Sequence, residues 1–190
     1  MKHKKIVNLT LTAMFLAIGL VLPFLTGQIQ QIGSMLLPMH IPVFLCALIC
    51  GWRYGAPMAF VLPVMRSFLF GMPPLYPAAA SMAFELMTYA LVAGVLYEKF
   101  RRQGTCVLYG SLLAAMVAGR IVWGTAQFVF LGLKGTAFTF EAFLAGALLN
   151  AIPGIILQLI LIPAIMLALH KTKLLPFRKP AEQAQETVEA

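Results

Sequence analysis

Six apolar stretches, each ended by a short polar or proline- and glycine-rich segment, divide the chain. A bilayer core takes about 20 apolar residues per helix, and somewhat fewer where neighbours shelter a short one. The first stretch runs from about Ile6 to Thr26 and leads into an uncharged polar segment, Gly27 to Pro38, that holds Gln28, Gln30, Gln31 and Ser34. The second, about Met39 to Trp52, is short. Gly51, Trp52, Arg53, Tyr54 and Gly55 then make a tight turn, and the third stretch reaches about Phe70. Pro57 suits its first turn, whereas Pro63 predicts a kink. Gly71 to Pro77, with three prolines, cannot continue a helix. The fourth stretch runs to about Tyr97, the fifth to about Leu131, and the sixth, after a turn over Gly132 to Thr139, to about Leu169. This pattern predicts an all-α bundle of six transmembrane helices over residues 1–170, without an internal repeat. A polar tail follows over 171–190, with Pro176, Pro180 and a run of Glu, Gln and Ala, and reads as mobile.

Charge fixes the orientation this bundle should take. Eleven of the fourteen Lys and Arg residues fall at four boundaries: Lys2, Lys4 and Lys5; Arg53; Lys99, Arg101 and Arg102; and Lys171, Lys173, Arg178 and Lys179. Basic residues stay on the cytoplasmic side during insertion, so these boundaries and both termini are expected inside. The net charge of +8 is spread along membrane boundaries, with no basic stripe interleaved with aromatics. It therefore points to topology and anionic lipid contact, and away from nucleic acid. With 61% hydrophobic and 11% charged residues, the chain has too little polar surface to coat a soluble globule of this length. The first stretch follows a basic start as a signal peptide would, but no small-residue cleavage site follows it, and it reads as a retained span. The three cysteines lack framework spacing and read as small buried hydrophobes.

Arg66 and Arg120 are the basic residues left inside apolar stretches, and function is sought there and at Glu85. At 1.5 Å per residue, Glu85 lies about 12 Å in from the outer end of its span, Arg120 about 17 Å and Asn150 about 15 Å, with Arg66 one turn below its own end. A charge facing lipid costs roughly 2.5–3.5 kcal/mol, so these groups should face one another or a cavity. Helical spacing adds Trp123 and Gln127 to the Arg120 face, and Ser81 and Tyr89 to that of Glu85. Two arginines against one glutamate leave an excess of +1, suited to a carboxylate or phosphate, with Trp123 or Tyr89 stacking on a flat ring. The plainer reading is that Glu85 pairs with Arg66 or Arg120 and locks the bundle. His40, flanked by Pro38 and Pro42, stands where a ligand would enter, or is simply solvated. With Cys46 and Cys50 it lacks metal-ligand spacing and a carboxylate, so neither a metal nor another cofactor is expected. Ala13 and Ala17 form a small-xxx-small pair in the first span, a pattern that admits a close helix partner.

Six short spans, the Ala13/Ala17 pair, the long segment before span two and the outward polar cluster resemble the substrate-binding (S) components of energy-coupling factor (ECF) vitamin transporters. LPMHIPVFLCALICGWRYGAPMAFVLPVMRSFLFGMPP, Leu37 to Pro74, is similar to the second and third helices of riboflavin- and folate-type members, and PAAASMAFELMTYALVAGVLY continues the likeness. Met39, His40 and Ile41 stand where riboflavin-type members have an Asp-containing start. The resemblance covers about residues 5–170. It implies a subunit of a prokaryotic cell membrane that captures a vitamin or related micronutrient from outside. Delivery would require a transmembrane coupling subunit with two ATPase subunits. It implies further that Ala13 and Ala17 pack on the coupling subunit and that Glu85, Tyr89, Arg120, Trp123 and Asn150 line the pocket, with Arg66 and His40 at its margin.

The rival reading is a self-sufficient oligomeric channel, or a proton-coupled carrier using Glu85. An enzyme is disfavoured, since the chain has no aspartate and no H-E-x-x-H, and Ser67, Ser81 and Ser111 have no evident base. It also has no G-x-x-x-x-G-K-[ST] loop, so any ATP hydrolysis belongs to partners.

Overall fold

The computed structural model describes residues 2–26, 36–100, 104–133, 139 and 151–171. Among these the regular structure is entirely helical. α1 spans Lys2–Val21, α2 His40–Ile49, α3 Trp52–Phe70, α4 Ala80–Lys99, α5 Thr105–Leu133 and α6 Ile152–Lys171. Four segments are long and apolar enough to cross a bilayer: Lys5–Phe24, Leu75–Lys99, Thr105–Leu133 and Ile152–Lys171. α3 also has a spanning length, 19 residues, but carries Arg53, Arg66 and two prolines.

The helix ends follow local chemistry. Pro23 has no N–H to bond back into α1, and the chain tightens there into a 3₁₀ turn, Leu22–Thr26. α2 stops at Cys50 because Gly51 takes φ +90°, and a Cβ there would also stand 2.5 Å from Glu98 Oε1. α3 ends on Gly71 in the left-handed conformation, whose N–H bonds Ser67 O at 2.9 Å. Pro73, Pro74 and Pro77 then shape a π turn, Leu75–Ala79, with an extended Tyr76, before α4 begins.

The expected second span, Met39 to Trp52, is a helix of ten residues, about 15 Å long. It survives because nine of those residues are buried, with α1, α3, α4 and α6 packed around it. The described part of the sixth helix begins at Ile152. The expected start of that span, residues 140–150, and the tail beyond Lys171 lie outside the described residues.

α4 is the central helix, packed most extensively on α5 and α3. Glycines set these distances. A Cβ at Gly94 would fall 2.8–3.0 Å from Cβ, N and Cα of Trp52, and one at Gly55 would strike Ala47. Without a hydrophobic force between helices in lipid, such close approach is what supplies van der Waals attraction. The outward surface is apolar along helical stripes: Leu113, Val117 and Ile121 on α5, and Ile152, Ile156 and Ile160 on α6. In water these stripes would be a liability, but against acyl chains they match their solvent.

Two glycine variants separate packing from helix propensity. Gly94→Val should destabilise the detergent-solubilised protein by about 1–3 kcal/mol, because Trp52 backbone cannot yield. Gly110→Ala, with nothing within 4 Å of its Cβ position, should be neutral or stabilising by up to about 1 kcal/mol. Thermal unfolding followed by circular dichroism checks both.

Candidate functional site

Glu85 lies about one and a half turns into α4 and is 2% exposed. Its Oε1 collects three neighbours from three helices. Tyr89, one turn further along α4, donates its hydroxyl to Oε1 at 2.8 Å. Arg120 of α5 reaches the same oxygen through Nη1 at 3.0 Å. His40, at the first position of α2, places Nε2 at 3.9 Å, beyond hydrogen-bonding distance. The Tyr89 ring packs on His40 and lies roughly parallel to Phe44, each with centroids 5.2 Å apart. It fits against α5 only because residue 119 is glycine, where a Cβ would penetrate the ring at 2.1 Å.

This cluster is not closed. Among the described residues, Nε and Nη2 of Arg120, both ring nitrogens of His40, Oε1 of Gln127 and Nε2 of Gln158 are buried without a hydrogen-bond partner. Buried polar atoms in folded proteins are nearly always bonded to protein, water or ligand, so this concentration is unusual. Nε and Nη2 form one flat edge of the guanidinium, the edge that grips a carboxylate or paired carbonyl acceptors in a bidentate manner. Trp123 and Gln127 share the Arg120 face of α5, as their spacing predicts.

Arg66 goes elsewhere. It is buried in α3, donates from Nη1 to Leu20 O at 2.6 Å, and lies over Phe24 and Phe70 at 5.2 and 5.5 Å. Leu20 O is the acceptor that a 3₁₀ bond from residue 23 would use, and Pro23 cannot supply it. Arg66 therefore caps the end of α1. The excess charge of +1 expected from two arginines is not assembled among the described residues, where Arg120 balances Glu85 one for one. Asn150 lies outside the described residues. Cys46 meets Thr12 Oγ1 of α1 through its sulfur, at 3.7 Å. Gln158, 1% exposed on α6, was missed by the sequence reading. Its signal was a lone amide within ILQLILIP, one turn after Gly154 on the buried face.

Gly19 on α1 and Pro23 in the turn after it are buried, while Ala13 and Ala17 of α1 are exposed beside Met14 and Ile18. A Cβ at Gly19 would meet the Leu62 side chain at 2.7 Å, so one face of α1 packs on α3 and the alanine face points away.

Residues 7–166 match the family of ECF transporter substrate-specific components. The chain belongs to that family. No curated protein and no solved structure matches it. ECF substrate-specific components are substrate-binding subunits, not enzymes, and work with a transmembrane and ATPase module. The apolar helices of this S component agree with a multi-pass membrane protein.

The Glu85–Arg120 pair makes a separable prediction. Glu85→Gln strands a buried guanidinium and should cost about 3–5 kcal/mol. Glu85→Gln combined with Arg120→Met removes both charges and should recover more than half of that loss. A double-variant cycle on thermal stability in detergent measures the coupling.

Proposed function

We propose that this S component binds a vitamin or related micronutrient outside the cell, at the Glu85–Arg120 cluster. An ATP-driven coupling module, a transmembrane subunit with two ATPases, then delivers it. The observation that carries the reading is the flat edge of Arg120, which has no partner among the described residues and lies by Glu85 and His40, in a chain of this family. A solute offering a carboxylate, or two carbonyl or ring-nitrogen acceptors in one plane, satisfies that edge. Tyr89, Trp123 and Asn150 complete the proposed lining, and His40 sits at its entrance. Arg66 supports the site through α1. Six spans with both termini cytoplasmic accord with the basic boundaries, which puts the cluster nearer the outer face. The alanine face of α1 is the proposed contact with the coupling subunit, where small side chains admit a partner helix closely.

The test is thermal stability of the purified chain against a panel of water-soluble vitamins and their precursors. A ligand at 100 times its dissociation constant adds about 2.7 kcal/mol, a clear shift. The shift should vanish in Arg120→Ala and persist in Arg66→Met once the variant's own lower baseline is subtracted. Uptake by the chain reconstituted alone, abolished by Glu85→Gln, would favour a proton-coupled carrier instead.

Ala13→Leu with Ala17→Leu should leave that ligand shift intact and remove copurification with the coupling subunit. Loss of both would place the alanine face in the fold, not in the interface.

A further inference from the structure

A second feature lies away from the polar cluster, on the outer surface between α3 and α4. Ala56 and Phe60 of α3 face Met87 and Leu91 of α4 across a groove of about 310 Å³. Trp52 and Arg53 stand at one end, and Phe60 meets Phe84 edge-on at 5.6 Å toward the other. From Trp52 to Phe60 the helix rises about 12 Å. A strip of apolar side chains of that length suits an extended hydrocarbon chain. Its walls are apolar, and among the residues that line it Arg53 carries the charge, exposed and held with its guanidinium 5.5 Å from the Trp52 ring centre. Tryptophan and arginine side by side at a helix end mark the headgroup level of a bilayer. Glu98 lies against Gly51 at this same end, and among the described residues no ion pair joins it to Arg53.

We propose that the groove holds one phospholipid with an anionic headgroup. An acyl chain would lie along Ala56, Phe60, Met87 and Leu91, and the phosphate would sit on Arg53. Phosphate complements a guanidinium in charge and geometry, and the groove's apolar walls accept the chain at no polar cost. The bound lipid would fill the seam between α3 and the central helix, and so bear on how firmly α3 is seated.

The experiment uses the full chain, stripped of lipid in detergent, titrated with phosphatidylglycerol and observed by native mass spectrometry. One lipid should remain bound. Arg53→Gln, an exposed change, should weaken it about fivefold, and raised salt should weaken the wild type similarly. Leu91→Trp, which fills the groove, should abolish the adduct while thermal unfolding verifies that the variant is folded. Diacylglycerol, with the chains but no phosphate, should bind more weakly than phosphatidylglycerol. Equal retention of diacylglycerol, displacement by inorganic phosphate alone, or unchanged retention in both variants would each overturn the proposal. So would a dimer that forms only in the stripped protein and that Leu91→Trp disrupts, since the groove would then be a contact between copies of the chain.

Discussion

A single carboxylate oxygen joins three helices. Glu85 Oε1 receives Tyr89 from its own helix and Arg120 from α5, with His40 of α2 alongside. In hydrocarbon neither charge can be left facing outward, because the cost of exposing it exceeds what any single packing contact supplies. The azimuths of α4 and α5 are therefore set by the need to bring these two side chains together, and the apolar stripes of α5 and α6 fall outward as a result. Gly119, which makes room for the Tyr89 ring, belongs to the same constraint.

The pair also divides labour within the site. Nη1 of Arg120 is spent on Glu85, which fixes the guanidinium and offsets its charge. What remains is directional: a flat edge of N–H groups that selects by geometry more than by net charge. Under the proposed function, a site built this way discriminates through the arrangement of acceptors on the solute, since a polar group left unpaired away from water is penalised.

Much of this architecture was legible in the sequence because membrane helices are written in composition. Apolar length and the basic boundaries located the six described helices, and the spacing of Ser81, Glu85 and Tyr89 and of Arg120, Trp123 and Gln127 grouped side chains that do share faces. Partnership between helices was not legible. Arg66 and Arg120 are both lone arginines within apolar helices, and nothing in periodicity says that one meets a carboxylate and the other a backbone carbonyl. That choice depends on rotation about each helix axis and on Pro23, distant from Arg66 in sequence but close to the carbonyl it meets. Gln158 escaped for the same reason, as a neutral amide in an apolar run carries no charge to draw notice. The shortness of α2 was visible, but its complete enclosure by four helices is a tertiary fact.

The cap that Arg66 places on Leu20 reaches further than the end of α1. A hydrogen bond to one backbone carbonyl, reinforced by the Phe24 and Phe70 rings, indexes α1 against α3 as a key indexes a wheel on its shaft. Turning α1 by one residue, about 100°, would strand a guanidinium in an apolar setting. Ala13 and Ala17 are thus presented at a fixed bearing, and any helix that docks on them is aimed by an arginine on a different helix, at the opposite side of α1.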